Sequence, residues 1–285
     1  MGSSKVMALV PAYNSAGFIQ QTLDSLSAQT HSNFEVLISV DVCGDNTYDV
    51  CKAHCERDLR FQVIRQEGER LGYAGNCNFL MNKAEADYVM LAFHDDLLDP
   101  TYSEKLCAVL DNRPEVVLAY PDTLLTDVDG SQVLWKFRTL EGVSEPTKRA
   151  WIMLRPPKLW WVPNRGMFRL ARSKRINGIK PHNSGEFSVD WPWLFHMSIL
   201  GEFARVPEVL CMKFLKPDGL AKSWEFNRKQ WYDVSVSCMR ELWSSELTTL
   251  QKTRLAVPLL RKLVRMRVAK AMRVAESKRL ITKIG

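Results

Sequence analysis

Over its first 120 residues the chain alternates two kinds of segment: apolar, β-rich runs at 6–10, 34–40, 61–64, 88–93 and 116–120, and longer stretches of helical periodicity between them. Strands buried on both faces read as continuous apolar runs, and parallel neighbours need a crossover long enough to hold a helix. The pattern therefore predicts an α/β fold on an open, mostly parallel sheet. Between the first two runs, Phe18, Ile19, Leu23 and Leu26 recur on one helix face behind a cap at Ser15 or Asn14. Similar helices are expected at 45–57, 73–86 and 100–112. Right-handed crossovers bring the carboxyl ends of the strands to one edge, so Tyr13, Asn14, Asp41, Asp95 and Asp96 are expected along a single crevice.

The fourth run, Tyr88-Val-Met-Leu-Ala-Phe-His-Asp-Asp-Leu-Leu-Asp-Pro100, stops abruptly at two adjacent acids. Two hard oxygen ligands at the end of a central strand suit Mg²⁺ or Mn²⁺ carrying a phosphate. Taken alone, the same pair also reads as an acidic turn before a helix that Asp99-Pro100 opens.

Beyond about Asp122 the pattern loosens. Asp129-Gly130 marks a turn between two short strands, and the Pro- and Trp-rich Arg155-Pro-Pro-Lys-Leu-Trp-Trp-Val-Pro163 follows. A helix is expected from Trp191, a long one at 225–247 and a basic amphipathic one at 258–284. Three units result: 1–121, 122–222 and 223–285.

The net charge of +7 is unevenly placed: residues 251–285 carry 11 Lys/Arg and one acid, leaving 28 basic against 31 acidic residues in 1–250. The seven cysteines have no paired spacing and sit mostly in apolar or helical patterns, which predicts free thiols and a reducing cytoplasm. Cys51, His54 and Cys55 have no second ligand pair at zinc-finger spacing and receive no chemistry. Strand-like sequence begins by Lys5 without a signal core, and no apolar run approaches a membrane span, so a protein neither secreted by that route nor membrane-spanning is expected.

Four segments in order carry a resemblance: Val10-Pro-Ala-Tyr-Asn14, Ser39-Val-Asp-Val-Cys-Gly-Asp-Asn-Thr47, Gly72 through Asn78, and His94-Asp-Asp96. Together they resemble the family-2 glycosyltransferases of the GT-A fold, over roughly residues 5–215. The resemblance implies an inverting, metal-dependent transfer of a hexosyl or N-acetylhexosaminyl group from a nucleotide sugar, most naturally a UDP-sugar, in surface polysaccharide synthesis. It makes 1–121 the nucleotide-sugar-binding half and 122–222 the acceptor-binding, catalytic half. It places Ala12, Tyr13 and Asp41 around the nucleobase, Asn78 and His94 in the nucleotide site, Asp95 on the ribose hydroxyls and beside the metal, and Asp96 on Mn²⁺ or Mg²⁺. A carboxylate such as Asp41 suits a uracil N–H, and an aromatic ring suits stacking under a base.

Three positions depart from the family pattern. Val40 and Phe93 stand where the family has acids, and Cys77 where an arginine often meets the nucleotide; Arg70, seven residues away, either supplies that charge or is a solvated loop arginine. On the acceptor side, Glu186-Phe-Ser-Val-Asp-Trp-Pro192 holds the place of the family's acidic motif, making Asp190 the expected general base and Glu186 the reserve. Asp190 also reads as a helix cap. Trp160 and Trp161 are candidates for stacking on an acceptor sugar, or for an ordinary core. Met212-Lys-Phe-Leu-Lys-Pro-Asp218 lacks the histidine that some relatives carry, which predicts weak metal binding without nucleotide.

Drawn as a helix from Pro258, the tail gathers Leu260, Leu263, Val264, Val268, Ala271, Met272 and Ala275 on one side and Arg261, Lys262, Arg265 and Arg273 on another. That arrangement fits an anionic membrane surface and a lipid-linked or glycan acceptor, or else a helix packed on the domain. An enzyme peripheral at the inner face of the membrane is the expectation. The alternatives are a non-catalytic nucleotide-sugar or glycan-binding module, allowed by Val40 and Phe93, and a nucleotidyltransferase, disfavoured because Pro11-Ala-Tyr-Asn-Ser-Ala-Gly17 has no basic residue. No nucleic-acid-reading motif accompanies the basic tail.

Overall fold

The computed structural model describes residues 3–155, 157–215 and 224–281, with side chains through 267 of the last helix. The expected alternation is present as β1 (Val6–Ala12), α1 (Ile19–Ser27), β2 (Phe34–Val40), α2 (Thr47–Cys55), β3 (Phe61–Arg65), α3 (Gly72–Lys83) and β4 (Tyr88–Leu91). These four strands are parallel in the order β3-β2-β1-β4. Alternate residues of β1 serve opposite faces: Val6, Ala8 and Val10 pack with Ile19, Leu23 and Leu26 of α1, while Met7 and Leu9 pack with Leu80 and Met81 of α3. No side chain caps α1; the Ser15 carbonyl takes the Phe18 and Ile19 N–H groups instead, which corrects the expected Ser15 or Asn14 cap.

The remaining elements are β5 (Asp96–Leu98), α4 (Tyr102–Asn112), β6 (Val116–Thr126), β7 (Gln132–Trp135), α5 (Pro146–Leu154), a 3-10 turn (Val162–Arg165), β8 (Met167–Arg169), α6 (Leu170–Lys174), α7 (Asp190–Leu200), β9 (Glu202–Phe214), α8 (Arg228–Ser244) and α9 (Thr249–Ile281). The sheet continues β4-β8-β6-β9-β5, with β7 paired to β6, so the edge beyond β4 is mixed. Two sequence expectations need correction here. The run at 88–93 ends as a strand at Leu91, and β6 crosses the expected boundary at 121/122 and ties both halves into one sheet.

Helix α9 begins nine residues before the expected start, with Pro258 inside it. A proline signals a first turn, but Thr248 and Gln251 form a reciprocal cap that starts the helix earlier: Gln251 N donates to Thr248 Oγ1 and Thr248 N to Gln251 Oε1. Leu255, Ala256, Leu259 and Leu263 turn inward onto the core shared with α5, α7 and α8. Leu260 and Val264 stay exposed, so the single apolar face expected for the tail is split in two. Val268, Ala271, Met272, Arg273 and Ala275 lie outside the described side chains.

Candidate active site

The carboxyl ends of β1 and β2 lie side by side, with Ala12 opposite Val40, and the Asp41 N–H donates to the Ala12 carbonyl at 2.9 Å. After β4 the chain still follows β1, through Ala92 N to Leu9 O at 2.9 Å, before turning at Phe93 into β5. Tyr13, Asp41, Asp95 and Asp96 therefore meet at one edge, as the topology predicts.

Asp41 is buried and accepts three backbone N–H groups, from Val42 and Leu71 on Oδ1 and from Gly72 on Oδ2, each at 2.9 Å. It fixes the loop that enters α3 and keeps room for about one more donor. Gly72 has a φ of +69°, a backbone conformation strained for any residue with a Cβ, and an added Cβ would also push on the carboxylate end of Glu186. Arg70, from the same loop, lies 3.8 Å over the Tyr13 ring with its Nε 3.7 Å from Asp41 Oδ2. This puts a cation beside the candidate base-stacking ring and its carboxylate. Cys77 itself is buried, and burial pushes its thiol well up.

The acidic pair faces two internal cations. Lys213, paired in register with Asp96 across β5 and β9, places Nζ 3.3 Å from Asp95 Oδ2 and 3.5 Å from Asp96 Oδ1. Arg165, at the end of the 3-10 turn, places Nε 2.7 Å from Asp96 Oδ2. Burial works to raise the Asp95 carboxyl, but Lys213, His94 and Arg165 together hold it below its ordinary range. His94 meets Phe18 edge to face, and burial lowers its pKa against the pull of Asp95. Its Nδ1 is buried without a hydrogen-bond partner among the described residues.

Do these residues fit a divalent cation? Two carboxylate oxygens converging on one ammonium form a hard-donor position of the right chemistry. The local charge, however, is balanced: two carboxylates against Lys213 and Arg165. No group of three or more His, Cys, Asp or Glu suited to a metal occurs among the described residues. The donor set thus fits a metal that arrives with an anionic ligand.

Asp190 opens α7 without capping it; Val189 is the cap residue and makes no side-chain bond. Asn164 Nδ2 donates to Asp190 Oδ2 at 2.7 Å and lies 3.3 Å from the Tyr73 hydroxyl, while Asn164 Oδ1 is buried without a partner. Apolar surroundings raise the Asp190 carboxyl to about 6, against 3.8 ordinarily. Two residues before it, Ser188 is held at a φ of +48°, a strained backbone for a serine. Glu186 accepts the Tyr73 N–H and so anchors the start of α3.

Two candidates have partners within the fold. Asn78 gives both ends of its amide to Ile179, accepting from its N at 2.7 Å and donating to its O at 2.8 Å, so it pins two segments together. Trp160 is buried, stacked on Trp191 with centroids 5.1 Å apart, and is a core residue. Trp161, half-buried, packs edge-on against Trp135 and Trp160.

Residues 7–154 match the family model described as glycosyl transferase family 2. The chain belongs to the family-2 glycosyltransferases. Putative glycosyltransferase EpsH of Bacillus subtilis is 30% identical over 118 residues, which cover 41% of this chain and 34% of that protein. Glycosyltransferase GlyA of Streptococcus pneumoniae is 32% identical over 102 residues, covering 36% and 14%. The chain thus spans about a third or less of these curated relatives. Among solved structures, S. aureus TarS 1–349 in complex with UDP-GlcNAc aligns with a TM-score of 0.70 at 18% identity, over 90% of this chain and 71% of that one. Mannosyltransferase PcManGT of Pyrobaculum calidifontis, in complex with GDP-Man and Mn²⁺, aligns with a TM-score of 0.60 at 15% identity, over 98% and 79%. These neighbours share the GT-A fold.

Three site residues escape the family's motifs: Asn164, Arg165 and Lys213. Two sit in Pro163-Asn-Arg-Gly166, a segment without periodicity, and the third is the lysine near the partly buried end of β9. Only the alternation of β9, which puts Lys213 on the same face of the sheet as its cross-strand partner Asp96, carried any signal.

Proposed function

We propose that this protein moves a sugar from a nucleotide sugar to a hydroxyl of a glycan or lipid-linked acceptor in surface polysaccharide synthesis, inverting the anomeric centre, with Asp190 as general base. The observation that carries the reading is the pairing of unlike carboxylates. Asp190 is raised to about 6 and held by Asn164, while the next residue, Arg165, pairs with Asp96, and the neighbouring Asp95 is held below its ordinary range. One acid is tuned to exchange a proton near neutrality and Asp95 to stay charged.

In this reaction the acceptor oxygen attacks the anomeric carbon as Asp190 takes its proton. The bond from that carbon to the diphosphate oxygen breaks, and the nucleoside diphosphate leaves with the electron pair. Asp190 needs the acceptor hydroxyl within hydrogen-bond reach, and the buried, unpartnered Asn164 Oδ1 is a second acceptor beside it that orients a substrate hydroxyl. Tyr13 and Asp41 supply a stacking ring and a carboxylate to the nucleobase, with Ala12 and His94 in the wall and Asp95 toward the ribose. Arg70 closes over Tyr13.

Asp95 and Asp96 would hold Mn²⁺ or Mg²⁺, which supplies positive charge to the leaving diphosphate. Lys213, which faces the same acids, would supply a further positive charge beside those phosphates. A uridine donor is supported by the UDP-GlcNAc and UDP complexes of TarS and by the UDP complex of Mycobacterium tuberculosis glucosyl-3-phosphoglycerate synthase; GDP-Man on PcManGT is the competing precedent.

No described helix is long and apolar enough to cross a membrane. We infer attachment to an anionic membrane surface through 251–285, on the cytoplasmic side, in keeping with the seven free cysteines. The deciding experiment follows products from radiolabelled UDP-sugars. Glycosyl transfer releases UDP, nucleotidyl transfer would release the sugar 1-phosphate, and a binding module would release neither.

A further inference from the structure

A second concavity lies outside the crevice, between the end of α5, the start of α8 and the outer side of α9, with a volume of about 760 Å³. Its floor is apolar, made by Trp151, Leu154 and Leu259. Around that floor stand Arg155, Arg228 and Lys262, and toward the solvent edge Arg261 and Arg265. No acid lines the groove, and among the described residues no carboxylate pairs with any of these five cations.

Lys262 is the most telling of them. It is half-buried, with its ammonium 6.0 Å from the centre of the Trp191 ring, and burial lowers its pKa with only the Cys238 thiol opposing. A cation withdrawn from water without an acidic partner is costly unless an anion joins it.

Helix α9 also carries an outward apolar stripe. Leu250, Val257, Leu260 and Val264 are each between 40% and 61% exposed, and Trp243 at the end of α8 is half exposed nearby. At about 100° per residue the stripe and the groove occupy different sides of the helix, with Arg261 and Arg265 on the rim between them. A helix seated on a bilayer by that stripe puts the rim at the level of the lipid phosphates. The groove then opens just above the same layer.

We propose that this groove binds the phosphate head and proximal acyl carbons of an anionic membrane lipid. The cations take the phosphate, and Trp151, Leu154 and Leu259 take the chain. Trp191, which Lys262 overlies, directly follows Asp190, so a lipid held here sits behind the candidate base. This rests on the membrane reading of 251–285 and not on the transfer reaction.

The test titrates full-length protein with a short-chain phosphatidic acid below its micelle concentration, and with glycerol phosphate as the chainless comparison. The lipid should bind and glycerol phosphate should bind far more weakly. Arg228→Gln and Lys262→Gln should each weaken the lipid about fivefold, from about 1 kcal/mol per cation, while UDP affinity holds. Arg155→Gln, at an exposed position over the Trp151 ring, repeats the measurement should Lys262→Gln misfold. Leu260→Ser with Val264→Ser should abolish sedimentation with phosphatidic acid vesicles yet keep the short-chain titration. A flat titration in wild type overturns the groove site, even if vesicles still sediment the protein and the membrane reading survives. Equal binding of glycerol phosphate makes it a free-anion site and overturns the lipid. Stronger competition by an oligonucleotide or an acidic peptide overturns it as well.

Discussion

Asn164 donates to Asp190 at 2.7 Å, and the next residue, Arg165, ion-pairs with Asp96 at 2.7 Å. A single 3-10 turn therefore fixes both the candidate base and the acid pair that marks the donor site. Neighbouring residues of one rigid turn cannot move independently, so the spacing between acceptor and donor chemistry is set by backbone geometry. Arg165 is buried, and the attraction of Asp96 outweighs burial to keep its guanidinium charged.

Asp190→Asn should fold and bind UDP normally yet lose two or more orders of magnitude in transfer. In wild type, kcat/KM should fall as pH drops through about 6, because Asp190 must be ionised to accept the proton. A rate that stays flat down to pH 5, or near-normal turnover in the variant, would move the base to Glu186 or elsewhere.

The same substitution should stabilise the protein at neutral pH. The folded carboxyl, at about 6, lies above its ordinary 3.8, so the stability it allows is complete below about pH 4 and is lost as pH rises through 6. At 1.36 kcal/mol per pH unit, with some relief from the residue's partial opening to solvent, the loss is roughly 1–3 kcal/mol. Urea unfolding should show Asp190→Asn more stable than wild type by that amount at pH 7.5 and equal to it near pH 4. A variant less stable at both pH values would mean that the charge is not strained in the fold.

Lys213→Met tests the balanced charge of the donor site. With one of two cations gone, free Mn²⁺ should bind the acid pair several-fold more tightly without nucleotide, by about 1 kcal/mol or more of recovered attraction. UDP affinity in the presence of Mn²⁺ should fall. Asp96→Ala should lose the Mn²⁺ dependence of UDP binding while remaining folded. Calorimetry in which Mn²⁺ affinity is indifferent to both substitutions would remove Asp95 and Asp96 from metal binding.

The nucleotide half was legible because burial writes itself into sequence there. Continuous apolar runs have no other use in a small α/β domain, and β2 matches its predicted bounds at Phe34 and Val40. That Asp41, Asp95 and Asp96 share one edge of the sheet was legible because strand ends place them there, whereas Asp190 entered only through the resemblance. Asn164 and Arg165 were not, since a 3-10 turn between prolines and tryptophans has no periodicity to reveal which way its side chains point. Trp160 misled for the complementary reason: an aromatic in an irregular segment reads alike whether it stacks on Trp191 or on a sugar. The early start of α9 was hidden because Pro258 is the stronger local signal, while Thr248 and Gln251 act only through a reciprocal bond.

Finally, α9 should attach the protein to anionic membranes through its exposed stripe and basic rim. Ending the chain near Leu250 would be a poor test, because it removes Leu255, Leu259 and Leu263 from the core, and each buried leucine contributes about 2–5 kcal/mol. Leu260→Ser with Val264→Ser alters only exposed positions, 51% and 57% accessible, and should leave unfolding unchanged. Wild type should sediment with anionic vesicles at low salt and be released as salt screens the arginines, over a Debye length of about 8 Å at physiological strength. The double variant should stay in the supernatant throughout. Should wild type also fail to sediment at low salt, the basic face is a solvated rim and the helix serves the core alone.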